Sequence, residues 1–173
     1  MSRTILLVED DPSDAYFMKR AARAAGILDL LKVAKGGQEA VNYLGGLGEY
    51  ADRRRFPLPC LVLLDLKFPR MMGFEVLKWI RGQPALKSTI VIVLTSSGLG
   101  LDVDQAYRLG ANSYLVRPAT PDELTEMIKK VKQYWLELNR HAPKRAEIAA
   151  HPAGARVCDV CDPRSRELHR HPG

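Results

Sequence analysis

Apolar residues along this chain follow two spacings. Short unbroken runs of Ile, Val and Leu alternate with longer segments whose apolar positions recur every three or four residues. The short runs predict strands at Thr4–Val8, Leu30–Ala34, Cys60–Asp65, Ile90–Thr95 and Ser113–Val116. The longer segments predict helices at Pro12–Ala25, Gly37–Leu44, Gly73–Arg81, Val103–Leu109 and Pro121–Asn139. Pro12 suits the first turn of its helix and Gly26 stands where a helix stops. A polar loop runs from Gly45 to about Pro59.

Strands alternating with helices imply βαβ units and a parallel sheet. Continuous apolar runs imply strands covered on both faces. The expected fold is α/β: a doubly wound, flavodoxin-like, five-stranded parallel sheet of order 2-1-3-4-5 with an extended C-terminal helix. In such sheets the working site lies beyond the carboxyl ends of the strands, so the residues that follow each strand carry the function.

Composition narrows the classes. The 173 residues suit one domain of ordinary size with a tail. We place the domain at residues 1–139 and a flexible tail at 140–173, rich in Arg, His, Pro and Ala. The longest apolar runs fall far short of the ~18 residues of a membrane span. The apolar stretch before Glu9 is too short for a secretory signal. Three cysteines make no disulfide framework, so a cytoplasmic setting is expected. The net charge of +6 is spread without a dense basic block. Its densest run, Arg53–Arg55, reads as a solvated surface rather than a nucleic-acid site.

The strand ends hold chemistry. The first strand runs into Glu9-Asp10-Asp11, the third ends in Asp65, the fourth in Thr95-Ser96-Ser97 and the fifth in Arg117-Pro118. Carboxylates gathered at one edge repel one another unless a cation sits among them. Mg²⁺ with oxygen ligands is the natural occupant, and a Mg²⁺ that keeps waters grips a phosphate. Thr95 and Arg117 would complete a shell around that phosphoryl group. Read singly, the acidic triplet could be the dipole-favoured entry to a helix, and Thr95 could be structural. Asp65 is harder to dismiss, because a carboxylate closing the apolar run Leu61–Leu64 needs a partner.

Four motifs carry a resemblance: Ile5-Leu-Leu-Val-Glu-Asp-Asp-Pro12, Leu63-Leu-Asp-Leu-Lys-Phe-Pro-Arg-Met-Met-Gly73, Val93-Leu-Thr-Ser-Ser97 and Ala111-Asn-Ser-Tyr-Leu-Val-Arg-Pro118. In order and spacing, over about residues 3–139, they resemble a bacterial response regulator receiver domain of CheY-like fold. Tyr43-Leu through Gly48-Glu-Tyr50, with Tyr134-Trp-Leu-Glu137, are similar to the single-domain regulators that partner phytochrome-type histidine kinases. The resemblance implies a phosphoacceptor switch rather than an enzyme. Asp65 would accept a phosphoryl group from a sensor histidine kinase. Glu9, Asp10, Asp65 and the backbone carbonyl of Lys67 would hold Mg²⁺. Thr95 would bond the new phosphoryl oxygen, and Tyr114 would turn inward and alter the surface around the fourth helix and fifth strand. It also implies a homodimer through an exposed arm bearing Tyr134, Trp135 and Leu138, and output through a protein partner.

One position departs from the family: Arg117 stands where it has Lys. A planar fork replaces a point charge, so altered kinetics are expected. The stronger rival reading is therefore a receiver-like binding module that works without phosphorylation. A dehalogenase-like phosphatase would need a second Asp two residues after Asp65, where Lys67 stands. Dinucleotide binding lacks its glycine fingerprint after the first strand. In the tail, Cys158, Cys161, His169 and His171 could ligate Zn²⁺, but their spacing lacks the finger pattern and a tail with reducible thiols is expected.

Overall fold

A computed structural model of the chain describes residues 3–68 and 71–140. The candidate zinc ligands and the rest of the tail lie outside them. The strands are β1 (Ile5–Val8), β2 (Leu31–Ala34), β3 (Leu61–Leu64), β4 (Ile90–Thr95) and β5 (Ser113–Val116). Between and after them run α1 (Pro12–Ala24), α2 (Gly37–Gly45), α3 (Gly73–Gly82), α4 (Gly100–Arg108) and α5 (Pro121–Val131). All strand pairings are parallel, in the order β2-β1-β3-β4-β5. This is the expected doubly wound sheet.

Alternation along each strand divides the core. Ile5 and Leu7 of β1, Leu61 and Leu63 of β3, and Ile92 and Leu94 of β4 pack against α1 and α5 through Met18, Leu124 and Ile128. Leu6, Val8, Val62, Leu64 and Val91 face the other way, against Leu44, Val76, Leu77 and Ile80 of α2 and α3. Central strands β1, β3 and β4 are buried along their whole length, as unbroken apolar runs require. The edge strands β2 and β5 are only half-buried for most of their length, as strands with a single neighbour are.

Several boundaries move. Leu30 belongs to a tight 3-10 turn, Leu28–Leu30, rather than to β2. Helix α4 begins at Gly100, three residues before the expected Val103, because flanking glycines hide a helix from propensity. The last helix does not continue as an α-helix to Asn139. At Lys132 it widens into a π-type turn through Leu138. Five-residue spacing there sets Leu136 on the same buried face as Val131. Trp135 is half-buried against the core and is not an exposed arm residue, whereas Tyr134 and Leu138 are 55% and 65% exposed.

The basic run is corrected as well. Arg54 and Arg55 are exposed, but the Arg53 guanidinium turns inward. It donates to the carbonyls of Tyr43 (2.7 Å) and Leu44 (2.8 Å), in the last turn of α2, and to that of Phe56 (3.3 Å). Those helix-end carbonyls lack partners within the helix, and a cation there also suits the helix dipole. Arg53 thereby ties the Gly45–Pro59 loop to α2, where the Tyr43, Tyr50 and Phe56 rings meet edge to face or tilted.

Candidate functional site

Sheet register builds the site. Val8 pairs with both Ala34 and Leu64, and Thr95 pairs with Val116. The ladder runs one step past the strands: Glu9 N–H donates to Ala34 O (3.0 Å), Asp65 N–H to Val8 O (3.2 Å) and Arg117 N–H to Thr95 O (2.8 Å). Each strand-end residue is therefore fixed by its backbone at the carboxyl edge. Glu9, Asp65 and Thr95 are all buried there, Glu9 to 2% exposure.

Arg117 joins them. Its Nη2 bonds Glu9 Oε2 and stands 3.9 Å from Asp65 Oδ2. The two carboxylates thus face each other across one guanidinium nitrogen. Nη1 pairs with Asp14 Oδ2. Nε is buried and has no hydrogen-bond partner among the described residues. Burial alone would lower the Arg117 pKa. The bond and charge of Glu9, with the charges of Asp14 and Asp65, outweigh it and hold the guanidinium above its ordinary value. Burial dominates at Glu9 and raises its carboxyl above the usual range, although Arg117 pulls the other way.

The acidic triplet divides by role. Asp11 caps α1, accepting from Ser13 N–H (2.7 Å) and Asp14 N–H (3.0 Å), and these bonds lower its pKa. It is the helix entry that the triplet suggests when read singly. Half-buried Asp10 lines an adjoining cavity of about 430 Å³ with Lys35, Gly36, Glu39, Phe68 and Met71. Asp65 has one oxygen engaged: Leu66 N–H donates to Oδ1 at 2.6 Å. Oδ2 is left toward Arg117. Lys67 follows at the same edge with an exposed side chain.

The backbone around Asp65 is held by α3. Gly73 N–H donates to Leu66 O at 3.0 Å. A Cβ at Gly73 would lie 2.2 Å from the Asp65 carbonyl oxygen, so only glycine allows this approach. Thr95 Oγ1 accepts from Ser97 N–H at 3.5 Å, a long bond that holds the hydroxyl weakly. Tyr114 packs against Leu66, Val93 and Ala106, and its phenol donates to Ser97 O at 2.9 Å. Ser97 Oγ in turn donates to Asp102, in the first turn of α4. In this structure Tyr114 is therefore tied to the β4–α4 loop.

A family model described as "Response regulator receiver domain" matches residues 5–129. The chain belongs to that family. This receiver is 38% identical over 136 residues to the probable methanogenesis regulatory protein FilR2 of Methanothrix harundinacea, covering 79% of this chain and 85% of FilR2. It is 36% identical over 135 residues to the response regulator Rcp1 of Synechocystis, covering 78% and 90%. A crystal structure of phosphorylated RcpA, a cyanobacterial phytochrome response regulator, superposes with a TM-score of 0.76 at 31% identity, covering 83% of this chain and all of that one. This receiver is thus of the response regulator type and is similar to phytochrome response regulators.

Sequence reasoning placed Glu9, Asp65, Thr95 and Arg117 at one edge, and the structure brings them together. It missed Asp14, which in the first turn of a helix looks like an ordinary dipole-favoured acid. It also missed Asp102, whose only signal is a similar place in α4. Among the described residues no helix is long and apolar enough to cross a membrane.

Proposed function

We propose that this receiver is a phosphoacceptor switch. A sensor histidine kinase of the phytochrome type donates a phosphoryl group to Asp65, with Mg²⁺ bound. The observation that carries this is the pair of buried carboxylates, Glu9 and Asp65, facing one another across Arg117 at the sheet edge, with Asp65 Oδ1 held by Leu66 N–H.

The donor set suits a hard cation. Among the described residues no three His, Cys, Asp or Glu side chains form a ready metal cage. Mg²⁺ needs no preformed cage, since it keeps several waters and reaches its protein oxygens partly through them. Asp65, Asp10 and Glu9 would hold it with the Lys67 carbonyl, and it would neutralise charge on the phosphoryl oxygens. A Mn²⁺-bound structure of Rcp1, 34% identical with a TM-score of 0.72 over 82% of this chain, supports the fit.

The chain's own part is positioning and charge balance. Asp65 Oδ2 attacks phosphorus in line, and the phosphorus–nitrogen bond of the phosphohistidine breaks, its electron pair leaving with the imidazole. Arg117 lies close enough to meet the incoming phosphoryl charge. A planar fork meets those oxygens with a different reach from a lysine's point charge. Thr95, weakly held, is free to bond a phosphoryl oxygen. That movement strains the Ser97 contacts with Tyr114 and Asp102, and so changes the α4–β5–α5 surface. Such a switch is a local charge event biasing a two-state element.

Incubating the protein with Mg²⁺ and acetyl phosphate, then weighing it intact, tests this. The expected result is the mass of one phosphoryl group on the unaltered chain and none on Asp65→Asn. Without a mass gain, the phosphorylation-independent binding module is the better account, and the guanidinium already seated on Glu9 favours that second reading.

A further inference from the structure

Arg117 is shared in an unusual way. Its two terminal nitrogens serve different elements: Nη2 goes to Glu9 after β1, and Nη1 goes to Asp14 in the first turn of α1. Counting side chains alone, Arg117 is 10% and Glu9 1% exposed, whereas Asp14 is 46% exposed. Asp14 is no part of the strand-end set. A lysine at 117 could not bridge both acids with its single nitrogen in this manner, because only a planar fork offers two separated donors.

We propose that Asp14 is a positioning residue for Arg117. It engages one arm of the fork and leaves a single nitrogen for the acid pair, Glu9 and Asp65. Without that anchor both arms turn to those carboxylates, which are the oxygens a divalent cation needs. The guanidinium then competes with the cation. With Asp14 in place, Arg117 can release Glu9 to the cation and stay in the site through Nη1, ready for a phosphoryl group. Nε, buried and without a hydrogen-bond partner among the described residues, fits a side chain aimed by its two ends rather than by its stem.

This rests on the metal-binding reading above, and a double-mutant cycle separates the two. Mn²⁺ affinity is measured by the electron paramagnetic resonance of free Mn²⁺ for the unaltered protein, Asp14→Asn, Arg117→Lys and the double variant. Asp14→Asn is expected to weaken Mn²⁺ binding about fivefold or more, the scale of coupling between groups in contact. In the Arg117→Lys background the same change is expected to cost less than about twofold, since a half-exposed charge acting through solvent is largely screened. Asp14→Glu, which keeps a carboxylate, is expected to retain most of the affinity. Thermal melts establish that each variant is folded.

Equal losses in both backgrounds would make Asp14 a plain surface charge and overturn the proposal, as would no loss in either. Failure of the unaltered protein to bind Mn²⁺ would overturn the metal reading itself, and this proposal with it.

Discussion

Tyr50 shows how one side chain outside the site reports on its surroundings. Its hydroxyl donates to Glu39 Oε1 at 2.8 Å, in the loop that Arg53 ties down. Burial first, then the Glu39 bond and charge, push the Tyr50 pKa up from 10 to about 12. A raised folded pKa means stability that is complete below pH 10 and is lost as pH rises through about 12. Tyr50→Phe should cost about 0.5–1.5 kcal/mol at neutral pH. That deficit should shrink across the alkaline window, as denaturant titrations at pH 7 and above pH 10 would measure; a constant difference would exclude the linkage. At this scale the strand-end set was legible, because a carboxylate that closes a buried apolar run must meet a cation or a hydrogen-bond donor where the run ends. Asp14 and the inward turn of Arg53 were not. Both are charged residues in ordinary surface settings until the chain folds and brings a distant partner to them.

Among the elements, α3 is the one whose placement the site depends on most. Its first residue, Gly73, abuts the Asp65–Leu66 backbone. Gly73→Ala must push α3 away or distort the Asp65 turn. The cost should be about 1–3 kcal/mol, the usual range for overpacking. Phosphorylation by acetyl phosphate should slow as well, and an unchanged rate with unchanged stability would mean the loop yields freely. Helix periodicity located α1, α2 and α3 to within a residue or so, because caps and apolar stripes coincide there. It failed at the end of the last helix. Helical spacing carried the apolar stripe through Trp135, and a sheet too short to cover the helix end was expected to leave it exposed, whereas the π-type turn at Lys132–Leu138 buries Leu136 and half-buries Trp135. One extra residue per turn is invisible to a pattern tuned to 3.6.

For the whole molecule, the homodimer that the resemblance implies is a prediction open to test. Tyr134 and Leu138 are exposed on the last turn, and Trp135 between them lines a groove of about 900 Å³ together with Leu115, Met127 and Val131. The proposed homodimer would bury Tyr134 and Leu138 against the second copy. Replacing Tyr134 and Leu138 together by Ser should lower the mass seen by light scattering at tens of micromolar. The melting behaviour of the protomer should be nearly unchanged, since both side chains are exposed. A monomeric mass for the unaltered protein, phosphorylated or not, would rule the dimer out. The sequence by itself determined the sheet, its order and the edge at which chemistry gathers. The parallel sheet follows from apolar periodicity, and its order is the common doubly wound arrangement for five strands, which puts the working edge at the strands' carboxyl ends. Only the tertiary structure decided which acid caps a helix, which acid shares Arg117 and which aromatic stays exposed. Those choices are made by side chains from separate elements meeting across space, and no local spacing encodes such a meeting.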